Sequence, residues 1–345
     1  MARYVFRCID GHTAGNPVRL VTGGAPALRG ATMAERRQDF IARFDWIRTG
    51  LMFEPRGHDM MSGGFLYPPC GDADFGILFI ETSGALPMCG HGTIGIVTFG
   101  LEHGLITPRT PGKLRIEVPA GMIDIDYTAE GDKVTAVKIR NVPAYLAKTG
   151  IAIDVPGFGP LTLDVSYGGN YYAIIEPQGP YTSLDDLGAA RIIELSRTIR
   201  ELVRAAYEPV HPVEPTIHGV SHVLWADKPR GDGADGRNAV FYGERAIDRS
   251  PCGTGTSARL AHLHSTGRLK VGDSFVHESY IGSRFIGRVE EETTLGGRPA
   301  IVPSIEGSAI ATGFNTIWID RADPFWAGDV VGEGDGLGHI ILKRP

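Results

Sequence analysis

Two of the four cysteines in this 345-residue chain are followed by nearly the same residues. CGHGTIG (89–95) and CGTGTSA (252–258) share a cysteine, two glycines and a threonine at matched positions. A helix start presents unpaired backbone N–H groups and about half a positive charge, which makes it a seat for anions. Glycines at that start let the backbone come close to the guest, because they carry no side chain. A carboxylate is the natural occupant. The same field favours a thiolate at the first residue, so a thiol pKa below the free value is expected at both Cys89 and Cys252.

Two such thiols on opposite faces of the carbon beside a bound carboxylate can invert it, one removing a proton and the other delivering one. The difficulty is acidity. Each unit of pKa mismatch costs about 1.4 kcal/mol, so a gap of ten units is roughly 14 kcal/mol to recover. Converging helix starts in a water-free cavity stabilise the developing enediolate-like charge, and concerted transfer limits how much of it builds up. No metal, flavin or pyridoxal signature competes for that task, so a cofactor-free reaction is the expectation. A thiol hydrolase would need a histidine and an orienting residue for one cysteine and would leave the second without a purpose. A non-catalytic binding protein would keep the anion seat but need neither thiol.

These residues must be held by matching elements. Behind the first cysteine, Ile94, Val97 and Leu101 recur at helical spacing, and behind the second Ala258, Leu260, Ala261 and Leu263 do so; Gly104 and Gly267, each 15 positions beyond its cysteine, are the expected stops. Upstream, AGNPVRLV (14–21) matches GGNYYAII (168–175), each a Gly-Asn turn feeding an apolar strand, and FGILFIE (75–81) and NAVFYG (238–243) supply further strands. The Gly-Asn pairs lie 154 positions apart and the cysteines 163, which points to two related halves. Gly90, Gly92 and Gly95 also spell the G-x-G-x-x-G of a dinucleotide fold, with Glu117 as a possible ribose acid. In that fold, however, the strand runs directly into the glycines, and here TSGALPM (82–88) intervenes.

Composition narrows the remaining classes. The chain is 42% hydrophobic and 21% charged with a net charge of −6, and it has no dense run of Lys and Arg to follow a phosphate backbone, so nucleic acid is not an expected partner. MARYVFRCIDGHTAGNP (1–17) lacks the apolar segment of a secretory signal, and no stretch approaches a membrane span, which leads us to expect a cytoplasmic protein and no membrane partner. The cysteines form no C-x-x-C pair, so neither a zinc cage nor a disulfide framework is indicated, and Cys8 and Cys70 read as structural.

The blocks MCGHGTIG (88–95), DRSPCGTGTSARLA (248–261), DGHTAGNPVRLV (10–21), DWIRTGLMFEPRGHDMMSG (45–63) and GRNAVFYG (236–243) resemble the proline racemase family, over nearly the whole chain. The resemblance is strongest to members that epimerise 4-hydroxyproline at C2, between trans-4-hydroxy-L-proline and cis-4-hydroxy-D-proline. It implies an α/β (α+β) fold of the diaminopimelate-epimerase-like kind, two pseudo-symmetric halves with strands wrapped around a central helix. It further implies Cys89 and Cys252 as the acid–base thiols, with Gly90, His91, Gly253 and Thr254 cradling the substrate, chiefly its carboxylate. His222 and Asp248 match family positions near the ring nitrogen. A related dehydratase of trans-3-hydroxyproline has threonine for the second cysteine, so Cys252 argues for epimerisation. Proline racemisation shares the same core and stays open as an alternative. A small imino acid is the expected partner, with no cofactor and no metal; a homodimer is one assembly open to it.

Strand-like KVTAVKIRNVPAYL (133–146) carries the chain out of the first half, and GFNTIWIDRADPF (313–325) reads as a strand returning to it. The expected division is 1–145 plus 312–345, carrying Cys89, and 146–311, carrying Cys252. The tail VVGEGDGLGHIILKRP (330–345) reads as a polar turn followed by a short apolar strand. Asp248 has a plainer reading as a charge complementing the second helix dipole. His12 and His58, beside glycines, read as loop or pocket-wall residues, not metal ligands.

Overall fold

A computed structural model describes residues 3–328, so the reading of the tail lies outside the described residues. The chain runs through β1 (Arg3–Thr13), β2 (Asn16–Gly23), α1 (Met33–Met52), β3 (Ser62–Tyr67), β4 (Phe75–Glu81), α2 (Gly90–Glu102), β5 (Lys113–Val118), β6 (Gly121–Glu130) and β7 (Lys133–Arg140). It continues through β8 (Tyr145–Val155), β9 (Gly159–Tyr167), β10 (Tyr171–Ile175), α3 (Leu184–Ala206), β11 (Val220–Asp227), β12 (Gly236–Tyr242), β13 (Ala246–Ile247) and α4 (Gly253–Ser265). The last strands are β14 (Ser274–Glu278), β15 (Arg284–Leu295), β16 (Arg298–Gly307) and β17 (Ala309–Asp320).

The two series pair alike. β1–β2 is antiparallel, β2–β3 parallel, β3–β4 antiparallel and β4–β5 parallel. In the second series β9–β10, β10–β11, β11–β12 and β12–β14 repeat that order. The closing strands are exchanged: β8 pairs with β9, and β17 pairs along the whole of β1. A further antiparallel pairing, β7 with β16, joins the series. The return strand expected from GFNTIWIDRADPF therefore exists, starting a few residues earlier.

The two cysteine-led helices have the same length, as their glycine stops require: α2 and α4 each hold 13 residues, and Gly104 and Gly267 follow in the left-handed region at φ +68° and +74°. Both are buried around their circumference, over 90–100 and 253–263, so apolar and small residues occupy every face instead of one stripe. The polar residues of α4 are partnered, Arg259 Nη2 donating to Glu176 Oε1 at 2.6 Å and His262 Nε2 lying 2.8 Å from Asp164 Oδ2. The outer helices α1 and α3 begin at Thr32 and Ser183, whose hydroxyls accept from the backbone N–H of Glu35 and Asp186. Among the described residues no helix is long and apolar enough to cross a membrane.

The central helices meet end to end. A Cβ built on Gly90 would lie 2.6 Å from the Cα of Gly253, and one built on Gly253 would lie 2.6 Å from the Cα of Gly90. No side chain fits there, and the obstructing atoms are backbone. Gly90→Ala or Gly253→Ala is therefore expected to destabilise the fold by about 1–3 kcal/mol through overpacking. Gly71→Ala, whose Cβ would meet nothing within 4 Å, should leave the thermal midpoint unchanged. Equal midpoints for all three variants would show that the helix starts do not touch.

Candidate active site

Both cysteines are N-caps: Cys89 precedes α2 and Cys252 precedes α4. Their backbones differ. Cys89 is extended at φ −141°, whereas Cys252 sits at φ +64°, a region that L side chains enter at a cost of about 1–3 kcal/mol and mostly at functional sites. The DRSPCG segment holds it there. Asp248 Oδ1 accepts from the Ser250 N–H and hydroxyl, each at 2.8 Å, and Ser250 Oγ accepts from the Cys252 N–H at 3.1 Å.

Each sulfur has distinct neighbours. Cys252 Sγ lies 3.3 Å from the N–H of Gly255 and 3.2 Å from the Tyr172 hydroxyl. Cys89 Sγ lies 3.6 Å from Nδ1 of His91 and, unlike Cys252, makes no side-chain hydrogen bond to the backbone N–H groups of its helix's first turn. The expectation of lowered thiol pKa values needs correction. Both thiols are pushed well above the ordinary thiol range, first by burial and then by carboxyl neighbours, Glu81 for Cys89 and Asp248 for Cys252. The helix N–H groups of Gly92 and Gly255 pull the other way but do not offset the loss of water. A positive charge beside either sulfur would favour its thiolate.

The two Gly-Asn turns found in the sequence form a reciprocal clamp. In the first, Asn16 Oδ1 accepts from the N–H of Arg249 at 3.0 Å, in the loop before Cys252, while Asn16 Nδ2 lies 3.0 Å from Nε2 of His91. In the second, Asn170 Nδ2 donates to the carbonyl of Met88 at 2.7 Å, immediately before Cys89, and to Thr254 Oγ1 at 3.1 Å. Each asparagine thus ties the residue two beyond its own half's cysteine to the cysteine loop of the other half.

The remaining expected residues converge on the same centre. His91 Nε2 is 2.7 Å from Ser62 Oγ, Thr13 donates to its carbonyl at 2.7 Å, and its Nδ1 stands 3.9 Å from Asp248 Oδ2. Burial raises the Asp248 pKa and lowers that of His91. His222 Nδ1 lies 2.6 Å from Ser221 Oγ, and its ring lies against Tyr172 at 4.7 Å between centroids and is stacked on Tyr242 at 6.3 Å. Burial moves its pKa down to about 3, so it is a neutral imidazole. Cys89, Gly90, His91, His222, Asp248, Cys252, Gly253 and Thr254 are therefore gathered, all of them buried.

Sequence reasoning missed Glu81, Tyr172, Tyr242 and Ser62. Glu81 ends the otherwise apolar β4, whose Ile77 and Phe79 pack in the core around α2 while Leu78 and Ile80 pack on the α1 side. By alternation Glu81 shares the face of Phe79, and it is paired directly across from Ser62, which touches His91. Buried at 3% exposure and hydrogen-bonded by the Ser83 hydroxyl, it is raised to a pKa of about 8, chiefly by desolvation. Its signal in the sequence was a lone acid closing FGILFIE in phase with the helix-facing residues.

Other singled-out residues have local duties. Glu117 accepts from the N–H groups of Met33, Cys70 and Gly71, which orders the start of α1 and a loop and leaves no ribose acid. His12 lies in β1, not in a loop, and its Nδ1 accepts from the Gly15 N–H at 3.2 Å to close the turn. Cys8 is buried with its pKa pushed up to about 12, so it is an inert thiol. A cleft of about 690 Å³ opens beside the site, reaching Pro87, Asn170 and Ser221 but neither sulfur.

Comparison with known proteins shows the family. The proline racemase family matches residues 8–330. A 4-hydroxyproline 2-epimerase of Shewanella loihica is 60% identical over 326 residues, spanning 94% of this chain and 98% of its own. A crystal structure of a hydroxyproline epimerase from Agrobacterium vitis with bound trans-4-hydroxy-L-proline superposes with a TM-score of 0.87 at 30% identity, covering 95% of this chain and 96% of that one. A probable proline racemase from Agrobacterium radiobacter with bound carbonate gives a TM-score of 0.87 at 31% identity, with 94% and 96% covered. The fold is the diaminopimelate-epimerase-like one, two pseudo-symmetric halves each closing its strands around a central helix. Likeness of this extent takes in both halves and both cysteine loops, and the chain belongs to the proline racemase family.

Proposed function

We propose that this chain epimerises 4-hydroxyproline at Cα, interconverting trans-4-hydroxy-L-proline and cis-4-hydroxy-D-proline without a cofactor. One observation carries the chemical reading: two cysteines cap two helices whose starts are in contact, so one small anion can lie between both thiols. The N–H groups of Gly90, His91, Gly253 and Thr254 seat the substrate carboxylate. Cα then lies between Cys89 and Cys252. Asp248 and the neutral His222 face the ring nitrogen, whose positive charge favours a thiolate beside it.

In each turnover one thiolate takes the Cα proton from one face and the other thiol gives its proton to the opposite face. Sulfur protonation is exchanged between the two, and the reverse reaction runs with the roles swapped. Helix N–H groups directed at the carboxylate stabilise the charge that develops on it, among residues that are themselves buried. The halves are proposed to divide as 1–145 plus 312–345 and 146–311; the full-length pairing of β17 with β1 and of β8 with β9 supports this.

Cys89→Ala and Cys252→Ala are each expected to lower kcat by about 10³-fold or more while the thermal midpoint stays near that of the parent. Substantial turnover by either variant would refute two-thiol chemistry. With the parent enzyme in deuterium oxide, product should carry deuterium at Cα, and kcat/KM should be higher for the two 4-hydroxyproline epimers than for L- and D-proline. Preference for proline would reassign the substrate.

Glu81 gives a pH-dependent test of the closed site. Its carboxyl titrates near 4.5 when unfolded and near 8 when folded, so between those values the folded state holds a proton that the unfolded state has lost. Stability from this group is present below pH 4.5 and is lost as pH rises toward 8. The midpoint of Glu81→Gln minus that of the parent should therefore grow across that window and level off above it. A difference constant with pH would show that the carboxyl is solvated.

A further inference from the structure

The pseudo-symmetry of the site breaks at the residue two positions beyond each clamping asparagine: Val18 follows Asn16, and Tyr172 follows Asn170. Val18 is an apolar core residue whose methyl groups lie against Gly95 of α2. Tyr172 is equally buried, but its hydroxyl reaches both Cys252 Sγ, at 3.2 Å, and Thr254 Oγ1. Nothing in the proposed proton transfer uses it.

The hydrogen bonds can be assigned a direction by starting from one end. The atom of Asn170 that faces the Met88 carbonyl at 2.7 Å must be the amide nitrogen, because a carbonyl oxygen only accepts. That nitrogen also donates to Thr254 Oγ1 at 3.1 Å. Among the described residues Thr254 Oγ1 has only Asn170 and Tyr172 as hydrogen-bond partners, so its own proton is assigned to the tyrosine oxygen. The single tyrosine proton is then left for the remaining partner, Cys252 Sγ. The chain Asn170, Thr254, Tyr172, Cys252 is polarised toward sulfur.

We propose that Tyr172 is a positioning residue that delivers a hydrogen bond to the Cys252 thiolate and so favours ionisation of that thiol, a side-chain donor with no counterpart at the matching position, Val18, of the first half. Other groups facing that sulfur act against ionisation or are neutral. Asp248 before α4 and Glu81 at the end of β4 carry carboxyls that oppose ionisation, and Cys89 is the second thiol; behind them, His222 on β11 lies against the Tyr172 ring and His91 on α2 beside Asp248, both with pKa lowered by burial. The phenol and the Gly255 N–H are the two donors on Cys252. Burial also keeps the phenol protonated, so it stays a donor at any pH the enzyme meets.

The inference rests on the two-thiol reading above, and its test separates the two. In a Cys89→Ser background, the pH dependence of iodoacetamide modification at Cys252, mapped by peptide mass, reports that thiol whether or not the enzyme turns over. Tyr172→Phe keeps the ring against His222 and removes only the donor, so the modification profile should move to higher pH by about one unit. With both cysteines present, the rising limb of kcat/KM should move the same way, so that a roughly tenfold deficit below the limb is recovered at alkaline pH. Replacing Tyr172 by 3,5-difluorotyrosine, a stronger donor, should move both profiles to lower pH. A Tyr172→Phe deficit that is the same at every pH, or an unmoved Cys252 profile in either variant, would overturn the proposal. If instead Cys252→Ala retains turnover, the two-thiol reading itself falls while the Cys252 profile remains interpretable.

Discussion

The contact between Gly90 and Gly253 is the constraint on which the rest of the site depends. Two helix starts can share one small anion only if their first turns touch, and they touch only because neither residue has a Cβ. Burying both helices on every face fixes their axes, and the reciprocal asparagines fix the loops that lead into them. Shifting one loop relative to the other would break hydrogen bonds in both halves at once. The exchange of closing strands β8 and β17 adds a second tie between the halves.

That closeness sets the electrostatics. Helix dipoles and N–H groups favour negative charge, yet both thiols are held above their ordinary pKa because burial removes the water that would solvate a thiolate. Asp248 and Glu81 push in the same direction. The protein's own groups at the sulfurs are therefore short of positive charge, and a substrate whose ring nitrogen carries it completes the balance. An anion seat with nearby carboxyls accordingly suits a zwitterion better than a simple anion, which is how the charge pattern bears on the choice of substrate class.

Mirror relation between the halves is incomplete where the two sulfurs are concerned. Cys89 is extended with an imidazole two residues on, whereas Cys252 is left-handed with a threonine in that place and a phenol against the sulfur. A reaction between two stereoisomers needs two bases, but it does not need them to be alike. The internal repeat supplies the pair, and differences at single positions can tune each thiol without moving the helices.

Much of this was legible in the chain itself. CGHGTIG and CGTGTSA, the glycine stops at Gly104 and Gly267, the Gly-Asn turns and the strands FGILFIE and NAVFYG are contiguous signals, because capping, turn geometry and side-chain periodicity act between near neighbours. They determined the repeated helices, the two halves and the pair of thiols. Tertiary structure alone decided which partner each asparagine takes, that Glu81 and Tyr172 face the thiols, that β8 and β17 are exchanged, and that burial outweighs the dipole at both cysteines. Asn16 and Arg249 are 233 positions apart and Asn170 and Met88 are 82, so no local pattern records their pairing. A pKa likewise depends on how much water the whole fold removes from a group, a quantity that no stretch of sequence carries by itself.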